Sequence, residues 1–131
     1  MRPHLKLTFD GGCNPNPGFG YGSYDFDGTW PFLALRAKFG DGHTNNTAEF
    51  TCLLRALWEI ERLKLSEPDR PVVDIWSDSK LLVESVGGLW LLHDKRLKQL
   101  RDEVLVALAK VTHQWTIHWH SRDNSMRLFG H

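Results

Sequence analysis

Three carboxylates stand where the hydrophobic patterning of the 131-residue chain starts or stops. Asp10 follows the alternating run Leu5-Lys6-Leu7-Thr8-Phe9, and Asp78 follows Val72-Val73-Asp74-Ile75-Trp76-Ser77. Glu49 opens an apolar repeat of helical period. These patterns place Asp10 and Asp78 at strand ends and Glu49 in the first turn of a helix. If the two strands are neighbours, the three acids converge at one edge. Carboxylates gathered without Lys or Arg repel, and at least one is driven toward its protonated form unless divalent cations fill the gap. Hard oxygen ligands suit Mg²⁺ or Mn²⁺, and two such ions about 4 Å apart suit phosphodiester hydrolysis. Each acid taken singly also has a structural role: Asp10 as a turn residue before Gly11, Asp78 as a helix cap, Glu49 as partner of Asn46 in a capping box.

The elements that must position these groups are legible from period and punctuation. Leu5 to Phe9, Tyr21 to Phe26 and Trp30 to Phe39 read as strands, with Asp27-Gly28 as a hairpin signal between the last two. The Gly- and Pro-rich stretch from Asp10 to Gly22 must turn sharply, yet it is neither a GxGxxG nor a Walker pattern. Phe50, Leu53, Leu54, Leu57, Ile60 and Leu63 mark an amphipathic helix over about 46–64, ended by Ser66-Glu67-Pro68-Asp69. Val72 to Trp76 reads as a buried strand, parallel to the first and reached through the helical crossover. A short helix before Gly87-Gly88, a longer one over about 95–110 and a strand at Trp115 to Trp119 follow. The order predicts an α/β fold, a mixed sheet with helices packed on it, in a single domain spanning 1–131.

Composition bounds the remaining possibilities. The chain is 41% hydrophobic and 24% charged, with 16 Lys plus Arg against 16 Asp plus Glu, so net charge names no partner. Any nucleic-acid contact must come from cations concentrated on one face. Only Cys13 and Cys52 are present, the first residues lack a signal-peptide pattern, and no window approaches a membrane span. A cytoplasmic monomer, with no membrane association and no obligate protein partner, is expected. Trp58, Trp76, Trp90, Trp115 and Trp119 lie in apolar-periodic segments and read as core, as does Trp30, while His118 and His120 read as solvent-facing on one side of a strand.

Three blocks, Asp10-Gly11-Gly12-Cys13-Asn14-Pro15-Asn16-Pro17-Gly18, Thr44-Asn45-Asn46-Thr47-Ala48-Glu49 and Ser77-Asp78-Ser79, resemble in order and context the motifs of type 1 ribonuclease H. The resemblance covers the chain to about residue 120. It implies the ribonuclease H-like fold, a five-stranded mixed sheet flanked by helices, and metal-dependent cleavage of the RNA strand of an RNA/DNA hybrid, leaving 5′-phosphate and 3′-hydroxyl ends. Asp10, Glu49 and Asp78 match the residues that hold two Mg²⁺ or Mn²⁺ ions per active site. Gly11, Cys13, Asn14, Asn16, Thr44, Asn45 and Asn46 match substrate-binding positions along the minor groove, where RNA exposes its 2′-hydroxyls.

The resemblance breaks down at the C-terminus. The family's fourth acid stands in a last helix within an Asn-x-x-Ala-Asp pattern, whereas this chain reads His120-Ser121-Arg122-Asp123-Asn124-Ser125-Met126-Arg127-Leu128-Phe129-Gly130-His131. Laying the Arg-x-x-Asn segment of many relatives on Arg122 to Ser125 puts Phe129 where the acid should be. Asp123 has the right chemistry but comes about one and a half helical turns early, and His131 has nearly the right spacing but softer ligand chemistry. Both remain candidates for the fourth catalytic place, and the last helix should be shortened or absent. A weaker fourth ligand predicts a preference for Mn²⁺ over Mg²⁺. The basic, Trp-containing insertion of many relatives is also missing, so Lys95, Arg96, Lys98 and Arg101 are the candidate DNA-phosphate contacts, or else a solvated helix face. The competing functions are a hybrid-binding domain without catalysis and another nuclease or integrase-like member of the superfamily; the Asn-rich blocks argue for hybrid recognition.

Overall fold

The computed structural model describes residues 4–28, 33–63 and 70–129. Nine elements follow in order: β1 (His4–Cys13), β2 (Gly18–Gly28), β3 (Leu33–His43), α1 (Asn45–Arg62), β4 (Val72–Ser77), α2 (Lys80–Val86), α3 (Lys95–Val111), β5 (Gln114–Trp119) and α4 (Arg122–Phe129). The strands form one sheet in the order β3-β2-β1-β4-β5. β1, β2 and β3 pair antiparallel, whereas β4 runs parallel to both β1 and β5. The five-stranded mixed sheet flanked by helices is the expected one, and a helix follows β5, with α4 described over eight residues. Trp30 and the Ser66-Glu67-Pro68-Asp69 stop lie outside the described residues.

Leu5, Leu7 and Phe9 leave one face of β1 and are fully buried, as strand alternation requires. They meet the apolar stripe of α1, whose Phe50, Leu53, Leu57 and Ile60 are equally sealed. Val104, Leu108 and Val111 of α3 complete that core. Burying a Leu, Ile or Phe side chain is worth about 1.5–3 kcal/mol, so this interface fixes α1 against the sheet and with it everything α1 carries. The opposite face is polar, and α4 lies against β1 there.

β1 does not end on Asp10. It continues through Gly11, Gly12 and Cys13, each paired with β2, so the sharp turn is confined to residues 14–17. Gly11 shows why glycine is needed inside a strand. A Cβ there would lie 2.5 Å from the Ala48 carbonyl oxygen and 2.8 Å from the Glu49 amide, so β1 and the start of α1 could not approach.

The tryptophans depart from expectation. Trp58, Trp90 and Trp119 are 49%, 45% and 50% exposed. Trp119 keeps a polar handle, since its indole N–H donates to the Asp78 carbonyl at 3.0 Å. Periodicity marks these residues as apolar but does not reveal that their own side chains stay half in water. His118, expected to face solvent, instead stacks on Trp76 at 4.5 Å between ring centroids.

Candidate active site

The register of β1 and β4 brings the first two acids together. Thr8 lies opposite Trp76 in the parallel pair, so two residues further on Asp10 and Asp78 leave the same edge side by side. Glu49 reaches them from α1. Its Oε2 accepts a hydrogen bond from the Gly11 amide at 3.1 Å, in the space left by the missing Gly11 side chain. One oxygen from each of Asp10, Glu49 and Asp78 lies within 4.8 Å of the others.

The structural roles that could have explained these acids are filled by their neighbours. Thr44, not Asn46, caps α1: its side chain accepts from the Thr47 amide at 3.1 Å, and the Thr47 hydroxyl accepts from the Thr44 amide at 2.9 Å. Glu49 therefore sits one turn into the helix and is not the partner in a capping box. Ser79 caps α2 by accepting from the Leu82 amide, while the Ser77 hydroxyl oxygen accepts from the Ser79 amide. Asp78 is thus not the cap of α2. With capping done by hydroxyls, both carboxylates are available to the cluster.

Electrostatics shows the cost of that gathering. Burial, and then the Asp78 charge, push the Asp10 carboxyl up to about 7, although hydrogen bonding to Glu49 and the Arg122 charge pull the other way. Burial followed by the charges of Asp10 and Asp78 raises Glu49 well above the usual carboxylate range, against the pull of the Gly11 amide. Hard, crowded oxygen donors that hold protons for want of positive charge fit a divalent cation. Asp10, Glu49 and Asp78 are the residues that would hold it.

Beside the acids runs a row of exposed polar groups. Asn14, Asn16, Thr44, Asn45 and Asn46 are all exposed. Asn45 is held in place, since its Oδ1 accepts from the Cys13 amide at 3.1 Å and its own amide donates to Asn16 Oδ1 at 3.2 Å. Cys13 differs from expectation: its thiol is buried within hydrogen-bond reach of the carbonyls of Pro15 and His43, so the side chain braces the turn and is not presented to the surface. His43 braces the same corner through Thr47 at 3.0 Å.

Of the two candidates for the fourth place, the structure describes one, and it does not join the cluster. Asp123 lies exposed in the first turn of α4 and is not one of the three gathered acids. His131 lies outside the described residues. Phe129, at the position where the family pattern has its acid, is buried, and its carbonyl accepts from Arg36 at 3.4 Å. Sequence reasoning missed Arg122 and Tyr21, which line a cleft of about 240 Å³ together with Asp10, Glu49, Gly12 and Asn45. The Arg-x-x-Asn comparison used Arg122 only as a landmark; its place directly after β5, next to β4 and Asp78, was the available signal.

The mixed sheet in this strand order, with carboxylates from β1, α1 and the end of β4 meeting at one edge, has the architecture of the ribonuclease H-like fold. Solved structures confirm it. The chain is similar to RNase H1 from the halophilic archaeon Halobacterium salinarum NRC-1, with a TM-score of 0.81 and 23% identity over 95% of this chain and 90% of that one. It is similar to LC11-RNase H1 in complex with an RNA/DNA hybrid, with a TM-score of 0.83 and 20% identity over 94% and 89%. The N-terminal RNase H domain of a Mycobacterium tuberculosis protein, solved as a fusion with maltose binding protein, gives 0.81 and 23% over 95% and 87%. No family model matches the sequence, and no curated protein does. The fold is that of type 1 ribonuclease H.

Proposed function

We propose that the protein is an endoribonuclease that hydrolyses the RNA strand of RNA/DNA hybrids and leaves 5′-phosphate and 3′-hydroxyl ends. The observation that carries this reading is the convergence of Asp10, Glu49 and Asp78 beside the exposed Asn and Thr row, on a fold shared with an RNase H1 bound to a hybrid. Two Mg²⁺ or Mn²⁺ ions bound there would supply Lewis-acid activation of water and stabilise charge on the leaving 3′-oxygen. The Gly11 amide fixes the Glu49 carboxylate, and Asp10 and Glu49 are buried beside the half-buried Asp78. Asn14, Asn16, Thr44, Asn45 and Asn46 present amide and hydroxyl groups that can read 2′-hydroxyls along a minor groove without reading base sequence. On this reading residues 1–131 form one ribonuclease H-like domain that acts as a monomer in the cytoplasm on the hybrid.

A second reading is a hybrid-binding domain with weak or lost catalysis. It is favoured by the buried Phe129 and the outlying Asp123, which leave three gathered acids among the described residues. Incubation of an end-labelled hybrid with Mg²⁺ or Mn²⁺ separates the two. Cleavage that is abolished in Asp10→Asn supports the enzyme; tight hybrid binding without cleavage in either metal supports the binding module. Unchanged cleavage in Asp10→Asn would falsify the assignment of the metal site.

A further inference from the structure

The polar face of the sheet carries a second cleft, of about 390 Å³, which shares no residue with the cleft of the acid cluster. Lys6 and Thr8, two apart on β1, share that face, and Trp76 of β4 stands opposite Thr8. Asn124, Arg127 and Leu128, spaced three and four apart on α4, supply the facing wall. His120 lines the cleft too, its Nε2 3.0 Å from Ser125 Oγ of the same helix.

The lining is one-sided in charge. Lys6 contributes an ammonium, Arg127 a guanidinium and Asn124 an amide, and no carboxylate lines the cleft. Asp27 and Asp74 stand opposite Lys6 in the strand pairings, yet among the described residues neither forms an ion pair with it, and Arg127 forms none either. Asp74 is engaged elsewhere: it accepts from Thr116 Oγ1 at 2.7 Å, and its other oxygen faces His4 at 3.7 Å. The Lys6 ammonium lies 5.5 Å from the centroid of the Trp76 ring, on which His118 stacks, so the cation is held over an aromatic surface.

We propose that this cleft binds a terminal phosphoryl dianion, the group common to inorganic phosphate and the 5′-phosphate end of an RNA strand, with Lys6 and Arg127 as its grips. Three unesterified oxygens give the ammonium, the guanidinium and the Asn124 amide one acceptor each, whereas a phosphodiester inside a chain has only two such oxygens. The inference goes beyond the cleavage reading and does not depend on it, since it requires neither metal nor turnover.

Calorimetric titration of the metal-stripped protein with inorganic phosphate at neutral pH and low salt tests this. The wild type should bind. Lys6→Gln and Arg127→Gln should each bind about tenfold more weakly with unchanged melting, because both side chains are exposed and each supplies a charge-assisted contact. Arg122→Gln, in the other cleft, should keep the wild-type affinity. The proposal is overturned by a wild type that binds no phosphate, by wild-type affinity in Lys6→Gln or Arg127→Gln, or by an equal loss in Arg122→Gln. If Lys6→Gln melts lower than the wild type, Lys6→Arg decides: affinity within about threefold of the wild type supports the site, and a tenfold loss overturns it. Two single-stranded oligoribonucleotides of one sequence, one with a 5′-phosphate and one with a 5′-hydroxyl, then identify the source. Displacement of inorganic phosphate by the phosphorylated strand alone assigns the site to strand ends, and displacement by neither assigns it to free phosphate. Equal displacement by both overturns the proposal, because diesters would then suffice.

Discussion

At the residue scale, gathering the three acids costs the ion-free protein stability. An acid whose proton affinity is raised by folding, as Asp10 is from 3.8 to about 7, makes the ion-free protein lose stability as pH climbs from about 4 through 7. In that window the unfolded chain has already ionised and the fold resists doing so; Glu49, shifted the same way, adds to the effect. In EDTA the melting temperature should therefore fall between pH 5 and pH 8, and Mn²⁺ should raise it more at pH 8 than at pH 5, because bound metal requires deprotonated ligands. A melting temperature in EDTA that rises over the same interval would contradict this. Asp10→Asn removes one of the crowded charges, so it should melt higher than the wild type in EDTA at pH 8 while cleavage drops by about a thousandfold or more, the order expected when charge stabilisation at the reacting phosphate is lost. Loss of both stability and activity would point to a packing role instead.

At the element scale, the site depends on how closely α1 docks on β1. Gly11→Ala would drive a methyl group into the Ala48 carbonyl, and overpacking of this kind costs about 1–3 kcal/mol. Denaturant titration should show that loss, accompanied by weaker Mn²⁺ binding because Glu49 moves with α1; normal metal affinity in the variant would break the link between docking and the site. Thr44→Ala removes the side chain that caps the helix carrying Glu49, with an expected cost of about 1 kcal/mol. Asp25 lies on the polar face of β2, buried and pushed up to about 6 chiefly by that burial and secondarily by Asp27, with Lys6 and Thr8 opposing. It too loses stability for the fold as pH rises from about 4 through 6. Asp25→Asn should raise the melting temperature at pH 8 and leave it nearly unchanged at pH 4, and equal shifts at both values would rule out the charge as the cause.

At the scale of the whole molecule, zero net charge conceals separation. Acids crowd the edge where β1 and β4 meet, while Lys95, Arg96 and Lys98 stand exposed at the start of α3, where Arg96 donates to the Gly42 carbonyl at 2.5 Å beside the Asn45 corner. If this group meets DNA phosphates, Lys95→Ala combined with Lys98→Ala should lower the slope of log affinity against log salt by about two, given roughly one released counterion per contact. An unchanged slope would mark α3 as a solvated face. With three acids gathered among the described residues, Mn²⁺ should support cleavage at lower concentration than Mg²⁺, because Mg²⁺ demands near-ideal octahedral geometry and gives up its waters reluctantly, so an incomplete ligand set costs it more. Metal titrations of activity in each ion check this, and equal half-saturation would count against it.

The sequence by itself determined the elements and the membership of the acid cluster. Alternation at Leu5, Leu7 and Phe9, the helical period from Phe50 to Ile60 and the apolar run before Asp78 are local consequences of burying one face. The three acids were legible because each interrupts such a pattern. Tertiary structure decided the rest. Thr44 rather than Asn46 caps α1, since either side chain can cap a helix and only the path of the chain from His43 selects one. Burial turns Cys13 into a brace, while the outer side of α1 and the edge strand β5 leave Trp58 and Trp119 half in water, distinctions that period cannot make. Arg122 enters the cleft because β5 runs parallel to β4 and delivers the start of α4 beside Asp10, more than a hundred residues away along the chain. Local pattern specifies which face is buried; only the packed sheet specifies which charges meet.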